Sequence, residues 1–136
     1  MSFQLREHTA DVAVEATAPT LSGVFAAIAD GLAAAHVDDV PPGGDRFDLS
    51  VAAETREALL FDYLDDLVYK RDVRGVLPVD NEAAVERDGG AWHLTASARG
   101  VPVGAVDARE VKAVTYSEMD LAETDDGWRA YVVFDV

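Results

Sequence analysis

The chain closes with Tyr131-Val132-Val133-Phe134-Asp135-Val136, an apolar run that leads into a carboxylate. An uninterrupted run of aromatic and β-branched residues predicts a buried strand. We therefore expect these residues to be packed in a sheet, although the last residues of most chains are frayed. Asp135 and the carboxylate of Val136 would then stand together at the end of a fixed strand.

A second carboxylate lies near the other end of the chain, in His8-Thr9-Ala10-Asp11. Asp11 alone is explained by turn capping, and Asp135 alone by exposure to solvent. If the two ends meet, the carboxylates form an oxygen-only cluster that repels itself unless it is protonated, solvated or bound to a hard cation. Oxygen ligands favour Ca²⁺ or Mg²⁺ over zinc or copper. The residues themselves leave open whether the ends meet.

Periodicity along the chain predicts two helices among several strands. Thr20 is a suitable N-cap for a helix to about His36, and a second helix is expected over Glu54 to Lys70. Alternating or apolar segments predict the strands Val12–Ala16, Phe47–Val51, Val76–Arg87, Ala91–Arg99, Val111–Glu118 and Trp128–Asp135. Tight turns at Asp88-Gly89-Gly90 and Asp125-Asp126-Gly127 join neighbouring strands. The predicted class is α+β: a single domain with two helices packed on a largely antiparallel or mixed β-sheet.

Composition restricts the function classes. With 136 residues, 49% of them hydrophobic, the chain can bury a core as one domain. It has no cysteine, so it has no disulfide, thiolate metal site or cysteine nucleophile. No phosphate-binding glycine loop, nucleophile elbow or zinc-binding His-Glu-x-x-His helix occurs. The sequence also shows neither a signal-peptide pattern nor an apolar run of membrane-spanning length, so a cytoplasmic protein without a membrane partner is expected.

The charge is strongly acidic. Asp and Glu total 26 against 11 Lys and Arg, which gives a formal net charge of -15. This balance argues against direct binding to nucleic acid, because phosphate affinity needs a basic surface. It resembles the cytoplasmic proteins of salt-loving archaea, in which high salt screens the self-repulsion.

Three polar residues have a plain structural explanation beside a functional one. His8 lies three residues before Asp11 and could orient that loop or support a metal. Lys112, one of two lysines, could pair with Glu110 or Glu118, or its ammonium group could be a cation held near the acidic cluster or could reach a partner. His36 is expected at a helix end, where a cationic side chain is favourable.

Several motifs together resemble the archease family. Glu7-His8-Thr9-Ala10-Asp11-Val12 is similar to its N-terminal signature, and the segment from Leu59 to Tyr69 is similar to its second helix. Val111-Lys112-Ala113-Val114-Thr115-Tyr116 and the terminal Val133-Phe134-Asp135-Val136 resemble its two C-terminal motifs. The matches occur in the family's order over nearly the whole length, which implies one archease-like domain over residues 1–136.

The resemblance implies an accessory protein of the GTP-dependent RNA ligase that joins tRNA halves, and not an enzyme. Such a protein promotes guanylylation of the ligase's active-site histidine and supports multiple turnover. The family pattern implies a divalent cation, with Ca²⁺ expected and Mg²⁺ or Mn²⁺ as alternatives, held by Asp11, Asp135 and the terminal carboxylate of Val136. His8 and Lys112 would be supporting residues. Ser117 stands where the family often has histidine, so no role of that histidine is carried over.

Two other functions stay open at this stage. A stand-alone metal-dependent hydrolase would need a general base, for which His8 is the obvious candidate. A general chaperone or interaction module would use the carboxylates only to hold the two ends of the chain together.

Overall fold

The computed structural model describes residues 2–7, 11–37, 39–103 and 111–135. These residues contain seven strands and two helices. In chain order they are β1 (Ser2–Glu7), β2 (Asp11–Ala18), α1 (Leu21–His36), β3 (Asp45–Ala53), α2 (Arg56–Arg74), β4 (Val76–Asp88), β5 (Ala91–Pro102), β6 (Ala113–Thr124) and β7 (Gly127–Asp135). Every predicted strand and helix has a counterpart among them. β1 is an addition that the sequence patterns did not predict.

The strands form two antiparallel sheets. The first has the order β1-β2-β7-β6, and the second has the order β3-β5-β4. The predicted α+β class, with two helices and antiparallel pairing in a single domain, is confirmed, and the pairing is divided between two sheets. The apolar run at the end of the chain forms β7, which lies between β2 and β6 and is internal to its sheet.

Both helices begin after a threonine N-cap, and α2 ends at a glycine. Thr20 and Thr55 are the N-caps, and their hydroxyl oxygens accept the backbone N–H groups of Gly23 and Ala58 at 3.0 and 3.1 Å. α2 ends at Gly75, whose left-handed backbone (φ 66°) allows the last turn to close. Neither helix in the described part of the chain has the length and apolar character needed to cross a bilayer.

The helices share one core with both sheets. α1 contacts β1, β2 and β7 of the first sheet and β4 of the second, while α2 contacts β6 of the first and all three strands of the second. Phe25 of α1 stacks on Tyr63 of α2 with ring centroids 6.3 Å apart. Burial, together with the nearby charge of Asp30, raises the pKa of the Tyr63 hydroxyl above its ordinary range. Tyr63 is therefore a neutral core residue.

His36 differs from its predicted role as a cation at a helix end. It is only 2% exposed; its Nδ1 lies 2.9 Å from the Leu32 carbonyl and its Nε2 lies 3.1 Å from Nη1 of Arg71. Because a guanidinium can only donate, Nε2 accepts and Nδ1–H donates to the carbonyl. The imidazole is therefore neutral, and it connects the last turn of α1 to α2.

Gly31 sets how closely α1 approaches the first sheet. A Cβ at this position would overlap Cγ1 of Val14 on β2 and would lie 3.4 Å from the ring of Phe3 on β1. A glycine in a helix interior ordinarily costs about 1 kcal/mol relative to alanine. Here that cost is offset because the glycine lets α1 pack directly on β2, the strand that pairs with β7.

We predict that Gly31→Ala lowers the free energy of unfolding by about 1–3 kcal/mol, the usual effect of overpacking. Denaturant unfolding of a double-mutant cycle with Val14→Ala provides the measurement. Because Val14→Ala removes the methyl group that clashes, the two substitutions should couple favourably. A stabilising Gly31→Ala, as expected at an open helix position, would contradict this packing.

Candidate metal centre

The pairing of β2 with β7 brings the two predicted aspartates together. Asp11 is the first residue of β2 and Asp135 is the last of β7, and the two are direct partners in the antiparallel register. Partners in such a register carry their side chains on the same face, with Cβ atoms about 4.5–5.5 Å apart. The sequence left open whether the ends of the chain meet, and the register shows that they do.

On the sheet face that carries the two carboxylates, the next pair of residues is buried. Ala13 and Val133, the next pair along the same face, are 0% and 2% exposed, whereas Asp11 and Asp135 are half-buried. The opposite face of β2 and β7 packs into the core through pairs such as Val14 and Val132. The carboxylates therefore border packed side chains on one side and the end of the sheet on the other.

The third strand at this edge also contacts Asp135. Ala113 of β6 is its register partner, and the backbone N–H of Lys112 donates to the Asp135 carbonyl at 2.8 Å. The Lys112 side chain is exposed and forms no ion pair with any residue that the structure describes. Of its two predicted acidic partners, Glu118 forms no ion pair with it, and Glu110 lies outside the described residues. Lys112 is thus placed beside the carboxylate pair by its backbone.

Another acidic residue on the same face has a basic partner, which Asp11 and Asp135 lack among the described residues. Four residues along β2, Glu15 lies 2.6 Å from Arg129, which also contacts Asp120 at 3.1 Å. Sequence reasoning missed this arginine bridge, because only the register of β2, β7 and β6 brings the three residues together. Within the described chain, no arginine or lysine side chain pairs with Asp11 or Asp135. Like charges directly opposite each other in a sheet are destabilising.

The donor set fits a hard cation in part. Two carboxylates supply up to four oxygens, and Ca²⁺ binds six to eight oxygens at about 2.3–2.6 Å. Side chains whose Cβ atoms are about 4.5–5.5 Å apart are close enough for their carboxylates to share one ion. Among residues 2–7, 11–37, 39–103 and 111–135, no group of three or more ligating side chains occurs. A complete site needs a further donor, and both His8 and Val136 lie outside the described residues.

The fold and this carboxylate pair define a class of small α+β protein: helices between two antiparallel sheets, with the ends of two central strands forming an acidic tip. Residues 3–136 match the Archease protein family (MTH1598/TM1083), and this chain belongs to that family.

Known members are similar over nearly their whole length. A Thermococcus kodakarensis archease is 35% identical over 96% of this chain and 95% of its own, and one from Methanosarcina barkeri is 30% identical over 98% and 95%. The solution structure of Methanobacterium thermoautotrophicum protein 1598 superposes with a TM-score of 0.86 at 26% identity, covering 98% of both chains. A Thermotoga maritima crystal structure, described as an archease and possible chaperone, superposes at 0.62 with 22% identity over 96% of this chain and 94% of its own, and shows the fold alone.

We predict opposite effects of one substitution with and without a cation. In chelator, Asp135→Asn should raise the free energy of unfolding by up to about 1 kcal/mol, because it removes a like-charge pair. In Ca²⁺ at about 100 times its dissociation constant, the wild type should gain about 2.7 kcal/mol and the variant much less. Thermal unfolding measures both.

Asp125→Asn is the matched control, because Asp125 lies in the turn at the far end of β7 and has no ion pair with a described residue. A calcium-dependent gain that is equal in the wild type and both variants would contradict a site at Asp11 and Asp135.

Proposed function

We propose that this chain is an accessory protein of the tRNA-splicing RNA ligase. The observation that carries the proposal is the direct pairing of Asp11 with Asp135 at the end of the sheet. Membership of the archease family supports it, because the resemblance implies that a cation at these aspartates assists guanylylation of the ligase. The proposal assigns this chain no catalytic residue of its own.

The proposed site comprises Asp11, Asp135 and, where Val136 is the C-terminal residue, its carboxylate. Ca²⁺ is the expected ion, with Mg²⁺ or Mn²⁺ as alternatives, since all three prefer oxygen ligands. A cation bound there would supply positive charge where phosphoryl transfer develops negative charge. The chain's own residues hold that ion on a rigid strand end, and Lys112 and His8 are proposed to support it.

The charge of the chain fits a protein partner better than an RNA partner. A ligase that binds RNA and GTP needs a basic active site, and a protein of net charge -15 complements such a surface. The same charge opposes direct contact with RNA phosphates. The acidic tip is therefore proposed to dock at the ligase active site, in the cytoplasm, and to leave RNA binding to the ligase.

The test is GTP-dependent guanylylation of the purified ligase, with and without this protein. Wild-type protein and Asp125→Asn should stimulate the reaction, whereas Asp11→Asn and Asp135→Asn should lose about tenfold or more, equivalent to about 1.4 kcal/mol of barrier. Deleting Val136 shifts the terminal carboxylate by one residue and should cause a similar loss. Val136→Ala keeps that carboxylate and should retain activity.

The same assay separates the proposal from its alternatives. Full stimulation by Asp11→Asn and Asp135→Asn would remove the carboxylate pair from the mechanism. A general chaperone, the role suggested in the description of the Thermotoga maritima protein, would assist the folding of unrelated proteins without changing guanylylation. Turnover of GTP or RNA by this chain alone would instead favour a metal-dependent hydrolase.

The acidic composition is proposed as an adaptation to high salt. At about 0.1 M salt the screening length is about 10 Å, and at about 1 M it is about 3 Å. Raising KCl over this range should therefore increase the melting temperature by weakening self-repulsion. An equal ionic strength of NaCl is the control for screening as opposed to specific potassium binding. A melting temperature that falls with both salts would contradict this adaptation.

A further inference from the structure

Exposed apolar side chains are concentrated along one helix. The large hydrophobic residues that are exposed in the described chain are Phe3, Val40, Tyr69, Val73 and Tyr116. Tyr69 and Val73 lie on α2, and Tyr116 lies on β6 in contact with Phe61 of α2. Single exposed hydrophobic residues are ordinary, but a continuous set indicates an interaction surface. We call Phe61, Tyr69, Val73 and Tyr116 the α2 ridge.

The helical part of the ridge follows the geometry of α2. Phe61, Asp65, Tyr69 and Val73 are spaced four residues apart, and such rows form the surface ridges that pack against partners. From Phe61 to Val73 the row is about 18 Å long, at about 1.5 Å per residue. Tyr69 is 57% exposed and Val73 is 62% exposed, while the inner face of the same helix is buried. Tyr69 and Val73 are thus exposed apolar side chains at one end of the row, while Phe61 at the other end is half-buried and Asp65 lies between them.

A bulge in β6 adds Tyr116 to this ridge. Thr115 pairs with Val133 and Asp120 pairs with Tyr131, so the four residues 116–119 lie opposite Val132 alone. Bulges of this kind re-aim side chains at sheet edges. Tyr116 turns towards α2 and meets Phe61 edge-to-face, with ring centroids 5.6 Å apart and planes at 68°. The tyrosine is 53% exposed, and its ring keeps this contact with Phe61 on one side.

Acidic side chains border the ridge. Asp62 and Asp65 on α2 and Glu118 on the bulge are exposed, and none has an ion pair with a described residue. Asp66 and Asp72, by contrast, pair with Lys70 and Arg71 on the same helix. Lys70 also lies over the ring of Tyr69, 5.8 Å from its centroid, so the unpaired carboxylates border the Phe61 and Tyr116 end of the ridge. That end is complementary to a surface that presents Arg or Lys around apolar side chains.

We propose that the α2 ridge docks a basic protein surface. Rigid aromatic side chains are the residues that most often dominate binding energy, which suits Tyr69 and Tyr116. An RNA strand could also stack on tyrosines, but the surrounding carboxylates repel its phosphates.

This inference rests on the proposed function, which supplies the ligase as the partner, and the ridge lies near the carboxylate pair. Tyr116 lies three residues beyond Ala113, the register partner of Asp135, and so about 10 Å along β6 from the carboxylate pair. A partner whose active site receives the acidic tip would meet the ridge beside that active site. The ridge then supplies affinity, and the carboxylate pair supplies the stimulation of guanylylation.

The test measures the affinity of the ligase for this protein by calorimetry. Tyr116→Ala and Tyr69→Ala should each weaken binding about tenfold, and the double charge reversal Asp62→Lys with Asp65→Lys should weaken it further. Val40→Ser removes an exposed apolar side chain elsewhere, and Asp88→Lys reverses an exposed charge at the β4–β5 turn. Both controls should bind as the wild type does. Circular dichroism of each variant checks that the fold is retained.

Three outcomes would decide against the ridge. Wild-type affinity in the combined Tyr69→Ala, Val73→Ser and Tyr116→Ala variant would overturn it, even if the wild type stimulates guanylylation. Tight binding of a single-stranded RNA oligonucleotide that is lost with Tyr116→Ala would assign the surface to RNA instead. If the wild type neither binds the ligase nor stimulates it, the proposed function fails together with this inference.

Discussion

The antiparallel pairing of β2 with β7 is the constraint on which the rest of the structure depends. It joins the two ends of the chain at the centre of the first sheet, with β1 and β6 added at its edges. One face of the pair supplies residues of the shared core, including Val14 and Phe134. The other face places Asp11 opposite Asp135. Core and candidate site are therefore produced by the same register.

This register is stabilised because any other register of β2 and β7 would expose core side chains. A slip of one residue would move Val14 and Phe134 to the outer face and would expose apolar area worth about 1.5–3 kcal/mol per large side chain. That cost exceeds the penalty of about 1 kcal/mol or less for two opposed aspartates. The packing of the core can thus maintain a like-charge pair that is unfavourable by itself. The proposed cation site rests on this pair of carboxylates, which the packing of the core holds opposite each other.

Local chemistry made much of the fold predictable from the sequence. Thr20 before an apolar stripe predicted α1, glycines after Asp88 predicted the β4–β5 turn, and Tyr131 to Phe134 predicted a buried strand. The division into two sheets could not be predicted, because strand patterns do not specify partners. The β6 bulge was also hidden, since Thr115 to Met119 gives no local signal for three extra residues. His36 resembled a helix-end cation until its contact with Arg71 was known.

For the candidate site, the residue types were predictable and their meeting was not. Asp11 and Asp135 lie near opposite ends of the sequence, and only tertiary pairing makes them neighbours. The family resemblance implied the same two residues independently of the register. The Arg129 bridge and the α2 ridge gave no signal, because each depends on contacts between elements distant in the chain.

The central claim is that Asp11 and Asp135 hold one divalent cation. Crystals of this protein grown with Mn²⁺ would test it most directly through the anomalous scattering of the ion. The account predicts a single strong peak within about 2.5 Å of carboxylate oxygens from both aspartates, a distance typical of such cations. A peak bound to only one of them, or an ion found elsewhere on the acidic surface, would contradict it.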